Sequence, residues 1–216
     1  MSRGAPLILA ISLLLSASFD ARAALERPPK GSGWVGVRSG VVIDTQIGGG
    51  ILDITTKTLL APTFGVSAEY RLGRVDIGGV FESLGGTTFL LENRRRRLGG
   101  QMRGAATLRW RFVDQSWGAF YSRLGIGWVG TRLTDGFRDA IVEAQGDGAQ
   151  RSDVRQRAHG LAASTAVGIT IYPTRRVAAF IEAEITAEIM SMRIDGERSP
   201  LAVTRTSIAA GVLWRL

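Results

Sequence analysis

The chain has 216 residues, no cysteine, and 27 Lys+Arg against 19 Asp+Glu, a formal net charge of +8. Hydrophobic residues make up 45%, and glycine, at 28 positions, stands at about 13% where ~7% is usual. These values exclude a disulfide scaffold, a cysteine-ligated metal centre, a collagen and a disordered chain, and the length points to one domain.

Residues 1–23 read as a secretory signal. Arg3 supplies the positive start, 7–19 is almost wholly apolar, and Ala21-Arg22-Ala23 offers a small-x-small cleavage site. The apolar run is 13 residues long, short of the ~20 a spanning helix needs, so cleavage near Ala23 is expected. The remainder, 24–216, is expected to form a single barrel domain.

Eight candidate strands follow, at 33–43, 59–72, 75–91, 101–113, 117–133, 157–172, 177–194 and 201–216. The pattern is cleanest over 177–189. Its odd positions Val177, Ala179, Ile181, Ala183, Ile185, Ala187 and Ile189 are all apolar, while Glu182, Glu184 and Glu188 fall between them. That period of two specifies a strand. Leu60, Pro62, Phe64, Val66, Ala68, Tyr70 and Leu72 repeat it, as do Met102, Gly104, Ala106, Leu108, Trp110 and Phe112. In the last segment Ile208, Ala210, Val212, Trp214 and Leu216 oppose Arg205, Ser207, Ala209, Gly211, Leu213 and Arg215. Connections alternate too. The gaps 73–74, 114–116 and 173–176 are short; 44–58, 92–100, 134–156 and 195–200 are longer. Short turns at one end and long loops at the other is the layout of an all-β, antiparallel, up-and-down transmembrane β-barrel.

Alternation alone does not say which face is inside. A lipocalin-like carrier turns its apolar face in, whereas an outer-membrane barrel turns it out. The polar faces here favour the second arrangement. Gly160, Ala162, Ser164, Ala166 and Gly168 suit a crowded lumen better than a solvated surface. Both signs of charge occur there: Glu69, Asp76, Glu82, Glu182, Glu184 and Glu188 against Arg38, Arg71, Arg103, Arg109, Arg111, Arg123, Arg205 and Arg215. Charges shut inside a narrow barrel must pair, because an unpaired buried charge is costly. The turn at Gly73-Arg74 sets Arg71 opposite Asp76. Tyr70, Trp110, Phe112, Trp117, Phe120, Tyr172 and Trp214 gather near the short turns, as an interfacial girdle would.

A signal segment, eight amphipathic strands, short turns at one end and a final amphipathic strand together resemble the small outer-membrane barrels of the OmpA/OmpX type, over essentially all of 33–216. The last aromatic, Trp214, stands two residues before the end rather than at it. The resemblance implies the outer membrane of a Gram-negative bacterium, delivery by the barrel-assembly machinery, contact with membrane lipid and lipopolysaccharide, and a monomer. It implies a structural, surface-interaction or narrow-pore role. Eight strands leave an interior only wide enough for side chains to fill, which favours a plugged lumen.

Chemistry is sparse. His159 is the sole histidine; no carboxylate stands at metal-ligand spacing, and no serine follows two residues on, as in the outer-membrane lipid A deacylases. A lipid A-modifying enzyme is the alternative from another class, and a periplasmic lipocalin-like carrier is the third. Gly48-Gly49-Gly50 lacks the Gly-Lys-Ser/Thr of a phosphate loop, and no cofactor is indicated. Arg94, Arg95, Arg96 and Arg97 are the densest charge run. On an outer loop they would meet lipopolysaccharide phosphates, which guanidinium groups bind in bidentate fashion; a nucleic acid is not expected outside the cell.

Overall fold

The computed structural model describes residues 29–48, 54–56, 61–91, 94–145 and 150–216. The signal segment and Gly49-Gly50 lie outside them. The long strands are β1 (Gly33–Gly48), β3 (Ala61–Leu72), β4 (Val75–Leu84), β7 (Gln101–Asp114), β8 (Gly118–Arg132), β9 (Arg157–Ile171), β10 (Val177–Ile194) and β11 (Glu197–Arg215). Each pairs antiparallel with its neighbour, and β11 returns to β1, with Val35 opposite Trp214, so the sheet closes into a ring without an edge. A short β2 (Ile54–Thr56) extends from β1, and β5 (Thr88–Leu91) with β6 (Arg94–Arg97) forms a separate hairpin.

The period-two pattern decides the two faces. On β10, Glu182, Glu184, Thr186 and Glu188 are buried while Ile181, Ile185 and Ile189 are exposed. The apolar set therefore points out of the barrel, opposite to a lipocalin. Around the ring Phe64, Val66, Ile77, Phe81, Leu108, Leu124, Ile126, Leu161 and Val167 join the same exposed belt. The stretch Val177 to Ile189 covers about 40 Å of strand, or ~30 Å of height at the usual barrel tilt, enough to cross a bilayer.

Both ends of the chain's barrel meet at the turn end, where the Leu216 amide donates to the Gly33 carbonyl at 3.0 Å. Trp110, Phe112, Phe120 and Trp117 form a linked aromatic band there, with ring centroids 6.1–6.5 Å apart. Tyr172 departs from the expected girdle. It is buried in an internal floor with Trp34, Ala119, Ala178, Phe180 and Leu213.

Four features at the opposite, loop end differ from the sequence expectation. The strand expected over 75–91 stops at Leu84, and 88–91 pairs instead with 94–97, part of the expected loop 92–100. A bulge between Val42 and Asp44 flips the parity of β1, so Thr45 and Ile47 point inward and the strand continues past 43. The connection expected at 195–200 is a two-residue turn: Asp195 (φ 49°) and Gly196 (φ 80°) take the left-handed conformations that join strands of right-handed twist. The segment after β8 holds a helix, α1 (Asp135–Gln145), entered through Thr134, whose Oγ1 accepts the Phe137 amide at 3.2 Å. Phe137, Ala140 and Ile141 are buried on one face of α1, and Phe137 and Ile141 pack in one cluster with Leu98, Leu133, Val154, Met190, Met192 and Leu201.

Candidate functional site: a charge-filled lumen under an apolar cap

From the turn end up to the cap the lumen holds seven arginines and seven carboxylates joined in ion pairs, two of the pairs at the level of the floor. The central cluster joins five strands, β1, β4, β7, β8 and β10. Arg38 Nε lies 2.7 Å from Glu82 Oε1, and its Nη2 lies 2.7 Å from Glu182 and 3.0 Å from Glu184. Arg103 bridges Glu82 and Glu184, the latter at 2.7 Å, and donates to Thr186 Oγ1 at 2.5 Å. Arg123 meets Glu182 at 2.7 Å and Glu184 at 3.1 Å. The Tyr121 hydroxyl adds a hydrogen bond to Glu182 at 2.9 Å. Every carboxylate oxygen of this cluster thus faces a cation or donor, the condition under which buried charge is tolerated.

The remaining pairs flank it. Arg109 pairs with Glu69 at 2.8 Å and lies over the Tyr121 ring, 4.3 Å from its centroid. Arg205 pairs with Glu188 toward the loop end. Toward the turn end Arg111 takes Asp76, and Arg71 reaches Asp114 at 2.5 Å. The backbone register does set Arg71 opposite Asp76. Their side chains nevertheless choose partners on β7, because a guanidinium spans the lumen and meets carboxylates beyond its hairpin neighbour. Arg215 shares the inward face but is half-buried at the turn end and joins no ion pair among the described residues.

Glycine makes the space for this filling. A Cβ on Gly168 would sit 2.6 Å from the Tyr121 hydroxyl oxygen, and one on Gly211 would sit 2.6 Å from the Phe180 ring. The sequence reading missed Tyr121 and Asp114. Tyr121 fell in an apolar-looking segment, and the bulge between Arg111 and Val113 restores Asp114 to the inward face after two outward residues.

The cap is held by arginines as well. Arg96 Nη2 donates to both carboxylate oxygens of Glu143 on α1, at 2.8 and 2.9 Å, and Arg138 donates to the Val154 carbonyl at 2.8 Å. Arg151 pairs with Asp139, whose hydrogen bond raises the guanidinium's pKa. Of the β6 run, Arg96 is therefore engaged with the helix, and Arg97 is exposed.

His159 points away from the lumen, beside the lipid belt, while Ser164 points inward, so the two cannot act together. Ser191 stands opposite His159 on β10, but no hydrogen bond joins them and no carboxylate completes a catalytic set among the described residues. A hollow of about 770 Å³ lies on the outer wall between Tyr70, Ile77, Leu108, Leu124 and Ile126, facing lipid rather than the lumen.

No family model and no curated protein matches the sequence. Among solved structures, the fold is similar to the outer-membrane protein OprG from Pseudomonas aeruginosa, with a TM-score of 0.57 at 11% identity, covering 89% of this chain and 98% of that one. It is also similar to Neisserial surface protein A (NspA), with a TM-score of 0.54 at 12% identity, covering 87% of this chain and 100% of that one. At such identities the likeness establishes a fold: the chain has the eight-stranded transmembrane barrel of the small outer-membrane proteins.

Proposed function

We propose that this protein is a plugged barrel of a Gram-negative outer membrane, with a structural and surface-contact role rather than a conducting one. The loop end, with α1 and the β5–β6 hairpin, faces the cell exterior, and both strand termini face the periplasm. One observation carries the reading: the lumen is occupied throughout its height. A floor around Trp34 and Phe180, a belt of paired arginines and carboxylates and an apolar cap under α1 are all built of buried side chains. A solute would have to break several buried ion pairs at once to pass. Surface contact then falls to the loop end, where Arg97 is exposed while Arg96 straps the hairpin to the helix.

The test is single-channel recording on the refolded protein in planar bilayers, beside fractionation of expressing cells. The reading expects the protein in the outer-membrane fraction and no steady conductance. Stable unitary currents that survive extensive purification would return the assignment to a pore.

A further inference from the structure

Resting on that outer-membrane reading, we propose that the wall formed by β8–β11 carries a binding site for phosphate groups of outer-leaflet lipid, a row of five arginines distinct from the β6 run. Arg132 and Arg157 are direct cross-strand partners, as are Arg193 and Arg198. Arg155 closes the gap between the pairs, its amide donating to the Arg193 carbonyl at 2.9 Å. The row thus crosses four adjacent strands, each about 4.8 Å from the next. All five residues are exposed, and none makes an ion pair among the described residues. The nearest acids are otherwise placed. Asp153 accepts the Gln150 amide and the Ser152 hydroxyl, and Asp195 and Glu197 stand at the tip of the β10–β11 turn beyond the row. Like charges directly opposed on one sheet face destabilise it, so the row calls for an anion.

Its height identifies the anion. Along these strands the polarity of the two faces inverts. Below, β10 is Ile189-out and Glu188-in; above, Met190, Met192 and Ile194 turn in while Arg193 turns out. β8 changes likewise from Trp128-out to Arg132-out, and β9 from Leu161-out to Arg157-out. Such an inversion marks where the wall leaves hydrocarbon for water. Trp128, Leu161, Ile189 and Ala202 form the last apolar row, in mutual register, with Leu161 and Ile189 67% and 68% exposed. The arginines stand four residues higher, about 10 Å after tilt, and long guanidinium side chains extend back to headgroup level. Among the described residues the other half of the wall shows no matching row: Asp44, Gln46, Ser83 and Met102 occupy its upper positions. A one-sided row of planar forks suits closely spaced phosphate monoesters on a membrane lipid, which arginine binds in bidentate fashion.

The test is retention of diphosphorylated lipid A by the refolded full-length barrel in detergent, read by native mass spectrometry. Wild type and the turn-end control Arg176→Gln should retain the lipid, and neither should retain its dephosphorylated form. The triple variant Arg157→Gln/Arg193→Gln/Arg198→Gln should weaken retention about tenfold or more. The corresponding triple Arg→Lys variant keeps the charge and safeguards against a folding failure; it should lose part of the affinity and most of the selectivity for phosphate. Excess inorganic phosphate should leave the lipid bound. Undiminished retention in the triple Gln variant, or loss only on Arg97→Gln, would overturn the row as the site. Displacement by inorganic phosphate would reassign it to a free anion. If wild type fails to insert into lipid vesicles, the outer-membrane reading itself falls; if it inserts and the variants bind as wild type does, only this inference falls.

Discussion

The middle of the lumen and its loop-end cap are both filled by buried side chains, yet they are built from opposite materials. The middle is ionic: Arg38, Arg103 and Arg123 converge on Glu82, Glu182 and Glu184 from strands far apart in sequence. The cap is an ordinary apolar core, in which Phe137 and Ile141 of α1 pack on Met190, Met192 and Leu201. What differs is the outside. Around the middle the wall faces lipid and must be apolar, so the strand can tell its two faces apart only if the inner one is polar. Around the cap the wall faces water, and the familiar arrangement of apolar inside and polar outside returns. The comparison teaches that lumen composition here follows the solvent on the far side of the sheet.

The largest expected effect breaks the middle. Glu184→Ala leaves Arg103, Arg38 and Arg123 short of an acceptor, and stranding buried charge costs about 3–5 kcal/mol. Reversible urea unfolding in lipid vesicles measures it, and a loss under about 1 kcal/mol would mean that water enters the belt. Next, the lipid side of the same level can be inverted. Ile185 lies outward between Thr165 and Thr206, and Ile185→Arg should cost about 2–4 kcal/mol in that assay, against little for Ile185→Val. Equal tolerance of the two would show that this face does not meet hydrocarbon.

The cap should respond as a soluble core does. Ile141→Val is expected to cost about 0.5–1.5 kcal/mol, with hydrogen exchange in α1 accelerating more than in β10. If exchange rises equally in both elements, cap and middle are one cooperative unit and the contrast between them dissolves. The smallest effect concerns partner choice near the turn end. Arg111 and Asp76 should couple in a double-mutant cycle, whereas Arg71 and Asp76 should couple by no more than about 0.2–1 kcal/mol despite facing each other. A larger Arg71–Asp76 term would place the Arg71 guanidinium on its hairpin neighbour instead of on Asp114.

Much of the barrel is legible residue by residue. The odd–even division of 177–189 gives both faces of β10, and the same division sorts β3 and β7. The pattern becomes unreadable where geometry departs from strict alternation. Past the bulge at Val42–Asp44 an inward-facing set begins on odd numbers, which made 44–48 look like loop. At Met190 the alternation runs on but the apolar residues move from one face to the other, so the expected bounds 177–194 hold while polarity alone misplaces the inward face above Ile189. Asp195-Gly196 is a strong hairpin signal, but its meaning depends on Glu197–Arg215 being one long strand. Tyr172 could be placed among girdle aromatics by position, and only the closed ring turns it inward.

Backbone periodicity is a local property, since each side chain's direction depends on its immediate neighbours along the strand. The sequence by itself therefore determined that there are eight long strands, the three short turns, and which residues share a face over most of their length, but not where the strands end at the loop end. Pairing across the barrel is not local. Arg38 and Glu184 stand 146 residues apart and meet only because β11 closes on β1. Closure and tilt decided which carboxylate each arginine reaches, that the lumen is filled along its height, and that five dispersed arginines become one row. Distance through the lumen and along the rim is set by strand order and shear, quantities that exist only once the ring has formed.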